Sequence, residues 1–274
     1  MAYTTITTDL PRAPKQRRRS APSHLLPGVL TVGAILALWT AASTLGWTSP
    51  VFLPSPARVW RALVTVATDG YASATLLEHA WASLARVLQA LIATLVVGIP
   101  IGLAIATSRI GRGIFDPIVE FIRPLPPLAY LPLVIIWFGI GELSKVLVIS
   151  LAMLAPIVLS TVAGARAASE NQIRAARAFG ASRADVVRHV MLPAALPSIF
   201  TGVRIALGAG WTTLVAAELI AATEGLGYMI QSAAQFLVTD MVIAGILVIS
   251  ALAILTEVGL RAAEKRLIPW VGRS

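Results

Sequence analysis

Five stretches of this chain are apolar for long enough to cross a lipid bilayer, and this property constrains the fold more than any other. They are Leu25–Leu45, Val87–Thr107, Val146–Ala165, Ala194–Ala217 and Val242–Leu260. A bilayer core of roughly 30 Å takes about 20 such residues as a helix. A sixth run, Pro124–Ile140, is shorter and proline-rich, yet uncharged. In lipid every backbone polar group must be satisfied internally, so runs of this length read as helices. The expected fold is an all-α integral membrane protein with six transmembrane helices. Composition agrees: only 13% of residues are charged and 57% are hydrophobic, against about 25% charged in soluble domains, and mean hydropathy is +0.81. A soluble enzyme, a disordered chain and a secreted disulfide scaffold are excluded. With no cysteine, thiolate metal sites and cysteine nucleophiles are excluded too.

The net charge of +9 would suggest nucleic acid in a soluble protein, but its distribution points to topology. With a cytoplasmic N-terminus, 16 of the 22 Lys and Arg fall inside, and only Arg58, Arg61, Arg86 and Lys145 fall outside. Arg123 and Arg204 lie in or beside spans. The positive-inside rule therefore places both termini in the cytoplasm, with no nucleic-acid role. Residues 1–24 form a basic tail of disordered composition, 25–264 the transmembrane domain, 166–193 a charged cytoplasmic loop and 265–274 a second tail. A basic tail before an apolar run also describes a signal peptide, but Leu25–Leu45 is long for one and lacks a clear A-x-A site.

Polar and helix-breaking residues mark positions with work to do. Segment 46–86 holds Pro50, Pro54 and Pro56, then an amphipathic stretch ending at Glu78 and His79. A helix on the outer surface and a solvated loop both fit it. Gly98 and Gly102 bracket Pro100 at a spacing that lets another helix approach closely. Arg123-Pro124-Leu125-Pro126-Pro127 cannot be regular helix, and irregular backbone at membrane depth needs protein or a water-filled cavity around it. This segment is either a cavity wall or the loop that starts the third span. Arg204, Trp211 and Glu218 recur every seven residues, a step that drifts by only about 20°, so they share one stripe. An arginine in a span faces a bundle interior or an aqueous path. Arg123, Arg204, Trp211 and Glu218 are therefore the candidates for a substrate path, with structural pairing as the alternative. Gly202, Gly208 and Gly210 would let a helix or a solute come close.

The loop between the fourth and fifth runs reads as ordered. Ser169 and Gln172 have the spacing of a capping box, predicting a helix over 170–179. Gly180 stands where a left-handed residue ends it. Ser182 and Asp185 begin a second helix, which Pro193 is expected to end. Ala175 and Ala176 give this helix a small face suited to a groove, and its arginines suit acidic groups on a partner or anionic lipid headgroups.

These residues carry a resemblance. Arg174-Ala175-Ala176, three residues, Gly180, nine residues, then Val190-Met191-Leu192-Pro193 resembles the EAA signature of permease subunits of bacterial ABC importers. The family pattern begins with Glu where this chain has Arg174, a change of charge at one ATPase contact. Phe121–Pro127, Trp137-Phe138-Gly139-Ile140-Gly141, Leu53-Pro54-Ser55-Pro56 and Leu214–Thr223 are similar to the nitrate, sulfonate and taurine branch, the taurine permeases most of all. The resemblance runs from Ser49 to the C-terminus. It implies a type I importer permease fold in a bacterial inner membrane. It also implies a homodimer, two ATP-binding subunits below it and an extracytoplasmic binding protein delivering substrate. ATP and Mg would sit on the partner ATPase, and this chain would bind no cofactor. ATPase coupling would map to Arg174, Ala175, Ala176, Arg177, Gly180 and Ser182. A small sulfonate, taurine first, is the implied substrate, with nitrate or another small solute as the alternative.

Other function classes fit less well. An intramembrane enzyme needs a nucleophile with a base or a metal site, but His24, His79 and His189 lie outside spans or at their ends, and H-E-x-x-H is absent from the sequence. A P-loop needs Gly-Lys, whereas the three lysines follow Pro, Ser and Glu. A secondary transporter would carry midplane carboxylates in inverted halves. Glu120, Glu218 and Glu257 lie toward span ends, no internal repeat is visible, and such a protein leaves the cytoplasmic loop unexplained.

Overall fold

The computed structural model describes residues 25–269; the basic tail and the last residues of the C-terminal tail lie outside them. In chain order the helices are α1 (Leu25–Thr44), α2 (Pro56–Thr68), α3 (Leu76–Thr107), α4 (Arg109–Ile122), α5 (Pro127–Phe138), α6 (Glu142–Arg166), α7 (Glu170–Ala178), α8 (Arg183–Val186), α9 (Leu192–Ala221), α10 (Leu226–Gln235) and α11 (Thr239–Leu267). Five of these stretches are long and apolar enough to cross a membrane, and six if the bent pair α4–α5 counts as one.

Local chemistry accounts for the differences from expectation. Helix α3 starts well before Val87 because Thr75 and Glu78 cap it: Glu78 Oε2 accepts from the Thr75 N–H at 2.7 Å, and the Glu78 N–H donates to Thr75 Oγ1 at 3.4 Å. This satisfies two otherwise orphaned donors. The amphipathic part of the outer segment is a helix, α2, whose Val59 and Ala62 pack against Ala244 of α11.

The third apolar run is not a straight span. Helix α5 has 12 residues, about 18 Å of helix, and α4 meets it at 106° across the break at residues 123–126. Pro124, Pro126 and Pro127 force that break, since each lacks an N–H and restricts the residue before it.

Pro193 does not end the loop's second helix. Backbone from Arg183 continues to Ile220 as one helical stretch, because residues Val187–Met191 widen the turn. The Leu192 N–H bonds to Val187 O, five residues back. Such a bulge relieves the clash that a proline ring imposes on the preceding turn.

Helix α6 lies at the centre, with its most extensive packing against α9 and then α3. Small residues permit this approach. A Cβ at Gly102 would lie 2.6 Å from Thr161 Cβ, one at Gly164 would lie 2.8 Å from Ala195 Cα, and one at Gly202 would lie 2.5 Å from Ser160 Cβ. Gly98 and Gly102 thus serve packing within the subunit. Val87, Ile149, Met153, Ile157, Ile199 and Leu214 fill the core between these three helices.

Candidate functional site: a buried charge cluster, a mid-span cavity and an exposed loop

At one end of the bundle, where α3 and α6 begin and α9 ends, several charged side chains meet out of water. Arg86 is 2% exposed and Glu218 is 0% exposed. Arg86 Nη1 donates to Glu218 Oε1 at 2.6 Å and to the Glu224 carbonyl at 2.8 Å. Its Nε and Nη2 grip Glu142 at 2.6 and 2.8 Å, and Lys145 Nζ lies 2.6 Å from Glu142 Oε1. Ser83 Oγ and the Gly227 N–H, both at 2.8 Å, complete the Glu218 carboxylate. His79 is fixed on both ring nitrogens, Nε2 donating to Tyr71 O at 2.8 Å and Nδ1 accepting from the Gly225 N–H at 3.0 Å. Gly225 adopts φ +123°, and a Cβ there would lie 2.5 Å from Glu218 Oε1, so only glycine fits. The cluster ties the α9–α10 turn to α3 and α6.

This cluster was missed in the sequence, where Arg86 and Lys145 counted as outer-loop cations. A signal existed: His79, Ser83 and Arg86 stand at i, i+4 and i+7, one face of a helix.

The seven-residue stripe of α9 is one face, and its members hold neighbouring helices. Glu218 enters the cluster just described. Trp211 Nε1 donates to Thr256 Oγ1 at 3.2 Å. Arg204 Nη2 donates to Glu264 at 2.9 Å, while its Nε faces Glu257 at 2.9 Å as an ion pair without hydrogen-bond alignment. Both partners are on α11.

The fourth path candidate, Arg123, is elsewhere. It lines a cavity of about 480 Å³ at the α4–α5 break, together with Tyr130, Ala152, Pro156, Ser160 and Ala209. Ala152, Pro156 and Ala209 stand near the middle of α6 and α9, so the cavity opens at mid-span. The irregular backbone of residues 123–126 thus lies where the bilayer argument requires it, against a cavity. Among the described residues no three His, Asp or Glu side chains gather as a metal site would.

At the opposite end, α7 projects with no buried residue. The Ser169 N–H donates to Gln172 Oε1 at 3.3 Å. The helix closes where the Gly180 N–H bonds to Arg177 O at 2.9 Å and the Ala181 N–H to Ala176 O at 3.0 Å. Gly180 has φ +87° with open space around it, so backbone conformation alone selects glycine there. Ser182 caps α8 through the Asp185 N–H at 3.2 Å. Arg174 pairs within the helix, with Glu170 at 2.5 Å. Arg174, Ala175, Arg177, Gly180 and Ser182 are exposed and Ala176 is half-buried. Beside Gly180, Phe179 is 93% exposed.

Apolar helices thus bundle around a central α6, and an exposed, charged loop projects from one end. The chain belongs to the family of binding-protein-dependent transport system inner membrane components, which its residues 98–269 match. It is a transport subunit of an inner membrane, not an enzyme. It is 55% identical over 243 residues to the taurine transport system permease protein TauC of Escherichia coli (strain K12), covering 88% of each chain. It is 39% identical to a relative named for aliphatic sulfonates transport, SsuC of the same organism, over 90% of this chain and 92% of that one. Its fold is similar to that of the MetNI methionine ABC transporter in an inward-facing conformation, at a TM-score of 0.60 and 21% identity, covering 71% of this chain and 94% of that one.

Proposed function

We propose that this chain is the membrane-spanning permease subunit of an ATP-driven importer for a small sulfonate, with taurine as the first substrate to test. The observation that carries the reading is the 55% identity to a taurine transport permease across 88% of both chains. In this reading the chain makes six passes, α4 and α5 together forming the third, with both termini in the cytoplasm. The charge count supports this orientation: Arg109, Arg112 and the arginines of 166–193 fall at one end, while Arg86 and Lys145 at the other are paired with Glu142 and Glu218. Two copies pair, two ATP-binding subunits dock beneath them, and an extracytoplasmic binding protein delivers substrate. ATP and Mg belong to the ATPase.

The loop of α7 and α8 is the coupling element. Ala175 and Ala176 offer a small face, Arg174 and Arg177 flank it, and the Gly180 turn and Ser182 cap hold its shape. Phe179 supplies an exposed aromatic of the kind that anchors interfaces. Of the path candidates, Arg123 is the one we assign to the solute; Arg204, Trp211 and Glu218 hold α9 in place. The test is purification of the tagged chain from its own cells in mild detergent, followed by taurine uptake into proteoliposomes holding the complex and its binding protein. An ATPase recovered at one copy per permease, with ATP-dependent uptake, is the expected result. A chain that purifies alone and passes solute without ATP overturns the proposal.

A further inference from the structure

The cavity at the α4–α5 break has a lining whose chemistry is more specific than an aqueous passage requires. Its volume of about 480 Å³ is that of a small-molecule site, which typically spans ~300–1,000 Å³. Most of the lining is apolar, from residues such as Leu151, Ala155 and Ile205. Three polar side chains interrupt it: Arg123, Tyr130 and Ser160. Arg123 is exposed, Tyr130 and Ser160 are half-buried, and none makes a side-chain hydrogen bond or ion pair with another described residue. Ser160 also departs from its neighbour Thr161, whose hydroxyl turns back to Ile157 O at 2.7 Å. No carboxylate lines the cavity.

Arg123, Tyr130 and Ser160 are donors, and a guanidinium with two hydroxyls matches a tetrahedral oxyanion whose charge is spread over several oxygens. A complementary acceptor stands on the α6 wall, beside Ser160 and across from Arg123 and Tyr130. Pro156 has no N–H, so the carbonyl of Ala152, four residues back, lacks its helical donor, and both residues line the cavity. A free carbonyl in a largely apolar pocket suits an ammonium group. The cavity therefore offers donors and an acceptor without offering a negative charge.

We propose that this cavity is a substrate-binding site within the permease itself, for a small zwitterion carrying a sulfonate. Arg123, Tyr130 and Ser160 hold the sulfonate oxygens, and the Ala152 carbonyl receives the ammonium. The proposal rests on the importer reading and adds selection by this subunit to that reading.

The absence of cysteine from the sequence permits a direct test in the assembled transporter. Single-cysteine variants Ala209→Cys and Ile205→Cys place a thiol on the cavity wall, and Thr68→Cys places one on the exposed end of α2. The complex with its ATPase is reconstituted, ATP-dependent taurine uptake with the binding protein is confirmed for the unsubstituted complex, recovery of the ATPase shows each variant to be assembled, and labelling by an anionic methanethiosulfonate is then timed without the binding protein. Taurine at about four times its dissociation constant leaves about a fifth of sites open, so labelling at both cavity positions slows about fivefold and Thr68→Cys is unaffected. Arg123→Gln in the Ala209→Cys background removes the protection. Ethanesulfonate, which lacks the ammonium, protects less than taurine at equal concentration. Assembled variants that taurine protects at neither cavity position, beside an unsubstituted complex that takes up taurine, overturn the cavity site while leaving the importer reading intact. Equal protection by ethanesulfonate overturns the role of the Ala152 carbonyl. If the unsubstituted complex takes up no sulfonate with its binding protein, the importer reading fails, and the site falls with it.

Discussion

Replacing Arg86 by methionine tests the buried charge cluster, and the cost can be apportioned from the geometry. Arg86 serves two carboxylates in different surroundings. Glu142 is 58% exposed and keeps Lys145 at 2.6 Å when Arg86 is lost, so water and Lys145 compensate it. Glu218 is 0% exposed and retains only Ser83 and the Gly227 N–H, neither of which carries charge. Stranding one member of a buried pair costs about 3–5 kcal/mol. For a chain of this size, each kcal/mol lowers a melting midpoint by roughly 2–4 °C. Arg86→Met should therefore lower the apparent midpoint by roughly 6–20 °C, read from the fluorescence of the seven tryptophans of the purified complex at fixed scan rate. Glu170→Gln is the internal control: its pair with Arg174 is exposed on both sides, 80% and 74%, and is worth ~0–1 kcal/mol, so its midpoint should move by less than about 4 °C. An Arg86→Met midpoint within 2 °C of the unsubstituted protein, or equal shifts for the two variants, would refute the reasoning.

Four other substitutions separate loop, packing and path. Gly180→Val keeps the transmembrane helices folded, since its Cβ meets nothing within 4 Å, but places a β-branched residue in the left-handed region at a cost of about 1–2 kcal/mol; taurine uptake should fall while ATP is still hydrolysed, and normal coupled uptake would contradict it. Phe179→Ala should reduce recovery of the ATPase with the purified permease, leaving the permease's melting midpoint unchanged. Gly164→Val drives a side chain into Ala195 backbone 2.8 Å away, and the overpacking, about 1–3 kcal/mol, should appear as loss of folded protein in detergent chromatography. Arg204→Ala should lower the melting midpoint through loss of Glu257 and Glu264 on α11 while the KM for taurine stays constant; a raised KM with unchanged stability would return Arg204 to the solute path.

What the sequence made legible was governed by local chemistry. The capping pair Ser169 and Gln172, the left-handed Gly180 and the Ser182 cap each depend on residues within a few positions, and each appears where spacing places it. The break before Pro127 was legible for the same reason. The angle between α4 and α5, and the helical character of α4 itself, were not, because Arg109–Ile122 is too mixed in composition to read as a span. Glu218 could be placed on a stripe with Arg204 and Trp211, but a stripe specifies a face and not what that face meets. Its partner Arg86 lies 132 residues away, a pairing that only the packing of α9 against α3 determines. The cavity was hidden likewise: Tyr130 and Ser160 carry no signal in the sequence and gain their meaning beside Arg123.

The connectivity of the central helices explains how movement of the loop can reach that cavity. The loop of α7 and α8 joins α6 to α9, the two helices with the most extensive mutual packing, through short non-helical segments at 167–169 and 179–182. Ala167 continues from α6 through its N–H to Ala163 O at 3.2 Å, and α8 runs through the widened turn at Val187–Met191 directly into α9. Glycines at 164 and 202 bring the two helices into contact close enough that one cannot slide past the other without clashes such as that with Ala195. Interfaces packed this closely shift as units and do not deform continuously. Ala152 and Ser160 ride on α6, Ile205 and Ala209 on α9, whereas Arg123 and Tyr130 sit on the broken pair across from them. If the loop couples to an ATPase as proposed, its displacement is expected to shift the α6–α9 wall, which carries Ser160 and the Ala152 carbonyl, relative to Arg123 on the broken pair.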